Sequence, residues 1–318
     1  MKTALVLGGG GTVGLAYHAG VLRALEVEGG FAPDDAEVII GTSAGSVIAA
    51  YLRSGMTTRD MWLLALGQHP DYDAFGGSPE RRPDLFVPTW KNPLDISRHL
   101  IGSAYVMARA VSPFPLQPPR LLKALFPGGL FTLEEGRRRF AEELPGEWPE
   151  KALWLTTVDI VTGRRVVLGR AGAPPVDLPR AVLASAAIPG LYQPVQVGRR
   201  SLIDGGAHST SNLDLGVQAG VERIIGVVPL AFDTGTPPGR LGQLVRRIPA
   251  RQLSAEMELA RRRGIEVLLF RPSASEVRNH GFNMMRPNGL EQIAELAYEA
   301  TVKTLTTERF ANAFASVA

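Results

Sequence analysis

Gly41-Thr42-Ser43-Ala44-Gly45 follows directly on the apolar run Val38-Ile39-Ile40. Glycine-x-serine-x-glycine between a strand and a helix is the pattern of a nucleophile elbow, a turn so sharp that flanking side chains would collide. Gly41 and Gly45 carry no Cβ, so the helix can approach the strand and the Ser43 hydroxyl stands clear. It also sits at a helix N-terminus, where the peptide dipoles favour developing negative charge. The chemistry this suits is nucleophilic attack on a carbonyl. The alternative is a small residue packed at a tight turn.

A second glycine-rich turn, Gly8-Gly9-Gly10-Gly11, ends the first apolar run, Ala4 to Leu7. Such a turn offers backbone N–H groups to an anion, either a dinucleotide pyrophosphate or the oxyanion of a tetrahedral intermediate. Gly9-Gly10-Gly11-Thr12-Val13-Gly14 has the glycine spacing of a dinucleotide fingerprint. That fingerprint also wants an acidic residue at the end of the second strand. The second strand here ends in Gly41-Thr42-Ser43 instead, which counts against a nucleotide.

A serine nucleophile needs a base. Ser201-Leu202-Ile203-Asp204-Gly205-Gly206 places a carboxylate at a strand end, before two glycines that free the backbone to turn. An ordinary aspartate, pKa about 3.9, is a weak base towards a hydroxyl unless a dry site raises it. Asp-Gly is also a common turn signal. Of the five histidines, His18, His69, His99, His208 and His280, only His208 lies close in sequence to this carboxylate.

The elements that must position these residues alternate along the chain. Ala4–Leu7 predicts a strand, and Leu15, Ala19, Leu22 and Leu25 a helix ending at Gly29-Gly30. Glu37–Ile40 predicts a second strand and Ala44–Leu52 a second helix. That order implies parallel pairing with right-handed crossovers. From residue 68 to 130 the texture changes to proline-broken sequence, read as a partly helical cap inserted into one domain spanning 1–318. Within or beside it, Asp95 is expected to cap a helix to about Val111, Leu121–Phe126 to form a short helix, and Thr132-Leu133-Glu134-Glu135 to open another as a capping box. Phe86, Trp90, Leu100, Ile101, Tyr105, Phe114, Leu121, Leu122 and Phe126 could line an acyl pocket or touch a membrane.

Beyond the cap, Leu153–Ile160 and Arg165–Leu168 read as a hairpin, and Asp177 as the cap of a helix over Leu178–Ala187. Tyr192–Val197 and Ser201–Ile203 read as another strand pair. Arg223–Val228 and Glu266–Phe270 read as strands, Leu241–Arg263 and Leu290–Thr307 as long helices.

Composition narrows the classes. Apolar residues make up 45% of 318, enough for a large core, and the net charge of +3 does not point to nucleic acid. Cysteine is absent, which removes disulfides, thiolate metal sites and a thiol nucleophile. No metal-ligand spacing and no cofactor motif is apparent. No apolar stretch reaches the ~20 residues of a membrane span. The start of the chain reads as a strand rather than a signal peptide. The expected location is the cytoplasm, with peripheral contact at a membrane left open.

Three motifs now stand in chain order: glycine loop, Gly-x-Ser-x-Gly, Asp-Gly-Gly. That order resembles the patatin-like phospholipases. Gly20-Val21-Leu22-Arg23-Ala24-Leu25 is similar to that family's first helix, and Ala184-Ser185-Ala186-Ala187-Ile188-Pro189-Gly190 with Pro194-Val195 to the block before its aspartate. The likeness covers roughly 1–60 and 150–230. It implies a three-layer α/β/α sandwich with a mostly parallel sheet. It implies a Ser43–Asp204 dyad with no catalytic histidine, and an oxyanion hole from the N–H groups of Gly9, Gly10 and Gly11. The implied substrate is a lipid or other ester, cleaved through an acyl-enzyme, with no cofactor. Val13 stands where the family often carries Arg or Lys, so a fixed cation is lost there. Two other readings stay open at this point. One is an α/β-hydrolase whose triad uses His208 or His280, and the other a lipid- or nucleotide-binding module in which Ser43 only packs.

Overall fold

In the computed structural model, residues 1–72, 87–111, 128–232 and 240–315 are described. Eight strands form one sheet: β1 (Thr3–Leu7), β2 (Val38–Gly41), β3 (Ala152–Asp159), β4 (Arg165–Leu168), β5 (Val195–Val197), β6 (Arg200–Asp204), β7 (Arg223–Val227) and β8 (Glu266–Phe270). The hydrogen-bonded path runs β5-β6-β3-β2-β1-β7-β8, and β4 pairs with β3. The five strands from β3 to β8 on this path are parallel, while β4, β5 and β6 pair antiparallel.

The parallel strands are continuous apolar runs because both faces are covered. Leu5, Leu7, Ile39, Leu153, Leu155, Ile225 and Val227 face one core, shared with α1 (Gly11–Val27), α2 (Ala44–Arg53), α6 (Leu178–Ser185) and α10 (Leu290–Leu305). Ala4, Val6, Val38, Ile40, Ile224 and Val267 face the other, against α7 (Asp214–Gln218) and α8 (Arg240–Arg262). Helix, sheet, helix makes three layers, as expected. α1 packs most closely on α10, where a Cβ at Gly20 would collide with the Ala294 carbonyl. The remaining helices are α3 (Thr58–Ala65), α4 (Pro93–Val111), α5 (Glu134–Glu143), α9 (Ala274–His280) and α11 (Glu308–Ala315).

Several local expectations need correction. The Asp95 N–H donates to Asn92 Oδ1 at 3.0 Å, so Asn92 opens α4. Proline at the first helical position, Pro93, favours a start there and leaves Asp95 inside the first turn. The capping box at Thr132 does not form: α5 starts one residue late, Thr132 Oγ1 accepts only from the Glu134 N–H at 3.0 Å, and Glu135 pairs with Arg138. The strand expected over Tyr192–Val197 is only Val195–Val197, since Pro194 has no N–H for the ladder. By contrast, Asp177 caps α6 as expected, accepting from the Arg180 N–H at 2.8 Å.

The expected helix over Leu121–Phe126 lies outside the described residues, as do Phe86, Phe114, Leu121, Leu122 and Phe126. Of the rest of that apolar set, Trp90 packs on Phe131 with ring centroids 5.9 Å apart. Tyr105 is half-buried with Val106 over Val158, Ile160 and Ile203. Leu100 and Ile101 are exposed on α4. Among the described residues no helix is long and apolar enough to cross a membrane.

Candidate active site

The strand register explains why Ser43 and Asp204 meet. Leu155 pairs with both Gly41 and Leu168, and Thr157 with both Val166 and Asp204. A strand residue has two edges, so β4 fills one edge of β3, and β2 and β6 share the other. They run towards each other: β2 arrives parallel and stops opposite Leu155, β6 arrives antiparallel and stops opposite Thr157. The elbow and the Asp-Gly-Gly turn leave from that junction.

Ser43 has φ 54° and ψ −120°, a conformation that L-residues rarely adopt. Such strain persists only where the surroundings enforce it. A Cβ on Gly45 would strike the Leu7 carbonyl, and one on Gly41 would lie 2.5 Å from Ser46 Cα. Both glycines are therefore obligatory for the close strand–helix approach. The Ser43 N–H donates to Ser185 Oγ at 3.1 Å, and the Ser185 hydroxyl donates to the Thr156 carbonyl at 2.8 Å. The Asp204 N–H donates to the Ala187 carbonyl at 2.9 Å. The C-terminal end of α6 thus holds the backbones of both residues.

Asp204 is 4% exposed and Ser43 8%. Burial pushes the Asp204 carboxyl up to about 6, against the opposing pull of the Ser43 hydroxyl and the Gly206 N–H. The Gly206 bond is 2.7 Å. This is the dry, hydrogen-bonded carboxylate that an aspartate needs to accept a proton near neutral pH.

The glycine loop lies beside the serine: a Cβ on Gly9 would be 3.3 Å from Ser43 Cβ. One expected oxyanion donor changes, however. The Gly9 N–H already donates to the Thr210 carbonyl at 2.8 Å. The Gly8 carbonyl accepts from His18 Nε2 at 2.8 Å, so the Gly8–Gly9 peptide is clamped at both ends. Gly10 caps α1 and Gly11 is its first residue, so neither N–H can bond within the helix. Among the described residues these two donors, and that of Ala44 at the start of α2, make no hydrogen bond. Sequence reasoning could not see the Gly9 contact, because its partner lies some 200 residues away.

The histidines take other places. His18 is fully buried against the Gly8 carbonyl, and burial lowers it to about 4, so it is neutral at pH 7. His99 contacts the Gly129 carbonyl at 3.0 Å, and His69 lies 3.5 Å from Asp60. His280 packs edge-on to Tyr17. His208 is exposed, and burial of part of its ring with Arg165 nearby lowers its pKa. Among the described residues no cluster of three or more His, Asp or Glu could hold a metal. Thr156 and Asn212, which line the back of the site with Thr42 and Ser185, were not singled out by the sequence. Both are small polar residues outside every motif, recognisable only by their burial.

A search of curated proteins finds no significant match. Among solved structures, the chain is similar to VipD from Legionella pneumophila, at 16% identity and TM-score 0.46, covering 96% of this chain and 66% of that one. It is also similar to the type III effector protein ExoU, at 18% identity and TM-score 0.39, covering 96% and 53%. A third similarity is to the ExoU-SpcU complex of Pseudomonas aeruginosa, at 22% identity and TM-score 0.33, covering 95% and 52%. The chain therefore spans between about half and two thirds of the length of these proteins. The family model for patatin-like phospholipase matches residues 5–216, which include the glycine loop, the elbow and the Asp-Gly-Gly turn. By that match, the chain belongs to the patatin-like phospholipase family.

Proposed function

We propose that this chain is a serine acyl-ester hydrolase acting on lipid esters through a Ser43–Asp204 dyad. The observation that carries the reading is the strand register that brings the Ser43 elbow and the buried Asp204 to one junction, where burial raises the carboxyl to about 6. In the first step Ser43 Oγ bonds to the ester carbonyl carbon while its proton passes to the Asp204 carboxylate. The tetrahedral oxyanion is received by the Gly10 and Gly11 N–H groups. Collapse breaks the bond to the leaving alcohol, which takes the proton from Asp204. A water then gives its proton to Asp204 and attacks the acyl-enzyme. The second collapse releases the fatty acid and returns the proton to Ser43 Oγ. No metal or cofactor is required by these steps. The exposure of His208 and the distant contacts of His280 favour this route over a triad.

The natural site of action in this reading is a lipid surface, met by the α4 face that exposes Leu100, Ile101 and Met107. The test is hydrolysis of p-nitrophenyl esters of increasing acyl length by wild type, Ser43→Ala, Asp204→Asn and His208→Ala, with folding checked by circular dichroism. Loss in the first two variants with His208→Ala active is the expected pattern. Loss in His208→Ala as well would replace the dyad with a triad. A wild type that neither turns over nor is labelled by a fluorophosphonate would end the hydrolase reading.

A further inference from the structure

The segment Ser209–Leu213 touches all three motifs, yet none of its residues lies in one. Thr210 accepts the Gly9 N–H at 2.8 Å. Asn212 is fully buried and has φ 50°. Its Oδ1 accepts from Arg165 Nη1 at 2.8 Å. Arginine has only donors, so this contact fixes which way the carboxamide points. Nδ2 must then face the other side. There it donates to Thr42 Oγ1 at 3.0 Å, with Thr156 Oγ1 at 3.4 Å and the Gly205 carbonyl at 3.5 Å also in reach. The Ser209 carbonyl is a further acceptor for it. Thr42 immediately precedes the nucleophile and Gly205 immediately follows the aspartate. Thr156 Oγ1 in turn bonds Thr42 Oγ1 at 2.8 Å and lies 3.2 Å from the Gly41 carbonyl. Arg165 is itself fixed by a two-pronged pair with Asp214, at 2.7 and 2.5 Å.

Resting on the dyad reading above, we propose that Asn212 is a positioning residue: its carboxamide, aimed by Arg165, ties the Ser43 elbow to the turn after Asp204 and sets the separation of the two. β2 and β6 meet end to end, so no ladder bond joins them across the junction. Beyond the backbone hold from the C-terminal end of α6, side-chain hydrogen bonds behind the site supply that link. The positive φ explains the residue type as well, since asparagine tolerates that conformation better than most L-residues. Glycine would also tolerate it but offers no carboxamide. Aspartate would keep the Arg165 contact but turn a second acceptor towards Thr42 and the Ser209 carbonyl.

The experiment compares wild type with Asn212→Gly and Asn212→Asp. Glu256→Gln serves as a control for general loosening of the segment. Glu256 accepts from the Ser211 hydroxyl at 2.6 Å and the Leu213 N–H at 2.9 Å, and anchors the same loop without touching Thr42. Three readouts are needed: kcat and KM on a p-nitrophenyl ester, thermal midpoint, and the titration of the Asp204 carboxyl followed by carbon NMR. Both Asn212 variants are expected to lose about 10- to 100-fold in kcat with little change in KM. Their Asp204 midpoint should move upward, because the Ser43 hydroxyl whose pull holds it down is displaced. Glu256→Gln should lower the thermal midpoint with a much smaller loss of kcat.

Unchanged kcat in Asn212→Gly, or a kcat loss in Glu256→Gln as large at equal thermal shift, overturns the proposal. The carboxyl titration separates this result from a failure of the hydrolase reading. If wild type proves inactive on every ester, an Asp204 midpoint unmoved in Asn212→Gly still overturns the positioning role, and a raised one supports it.

Discussion

The two sides of the site are strained in different ways. On the Ser43 side the strain is conformational. The backbone is forced to φ 54° by glycines that let α2 press on β1, and the Ser43 N–H is already engaged by Ser185. On the Asp204 side the backbone is ordinary, at φ −47° and ψ 132°, and the strain is electrostatic. The carboxyl is buried at the end of an antiparallel strand, with the Gly206 N–H bond and the nearby Ser43 hydroxyl to offset its lost hydration. A strained backbone is insensitive to pH, whereas a desolvated carboxylate is not. The Ser43 side therefore gives geometry, and the Asp204 side gives the pH response.

The largest effects should come from removing either reacting group. Ser43→Ala and Asp204→Asn are each expected to lower kcat by about 10⁴-fold or more, and Ser43→Ala to abolish fluorophosphonate labelling. Similar losses that are not additive in the double variant would show the two acting as one unit.

The two variants should then part company in stability. Asp204 has its folded carboxyl raised above the unfolded value of 3.8, to about 6. Its favourable contribution is complete below the unfolded value and is lost as pH rises through about 6. At neutral pH the ionised carboxylate costs on the order of 3 kcal/mol. Asp204→Asn should accordingly be more stable than wild type at pH 7.5, by up to that amount, and indistinguishable at pH 3.5. Ser43→Ala should show no such gain. Denaturant melts at the two pH values check this, and a pH-independent difference would break the comparison. The same ionisation should make wild-type kcat/KM rise with pH through about 6 and then level off.

Gly45→Ala probes the conformational side alone. Its Cβ would run into the Leu7 carbonyl, and a loss of about 1–3 kcal/mol is expected with no dependence on pH. Urea melts between pH 5 and 8 would detect any departure. The smallest effect concerns the surface above the Asp204 side, where α4 lies over Val158, Ile160 and Ile203. Ile101→Glu should leave short-ester hydrolysis within about 2-fold of wild type, as surface changes usually do. It should weaken sedimentation with liposomes and the activity on long-chain esters there. Equal liposome binding would remove α4 from the lipid-contact reading.

Much of this molecule is local in origin, and that part was legible in the amino-acid order. Continuous apolar runs such as Ala4–Leu7 and Val38–Ile40 demand burial on both faces, which makes a parallel sheet under helices. Glycine at positions 41 and 45 announces a close approach, because no other residue permits it. Asp177 before a helical run announces a cap. Cap positions near prolines were less legible, since Asn92 and Asp95 are both good N-caps and Pro93 decides between them.

The tertiary structure alone decided the rest. That β2 and β6 meet head to head on one edge of β3 follows from pairings between residues 41, 155, 157 and 204. No spacing in the sequence encodes them. The same holds for the Thr210 carbonyl that occupies the Gly9 N–H, and for the burial that raises Asp204. A residue type fixes which hydrogen bonds and charges are available. Which are satisfied, and how dry each becomes, depends on what distant segments bring alongside.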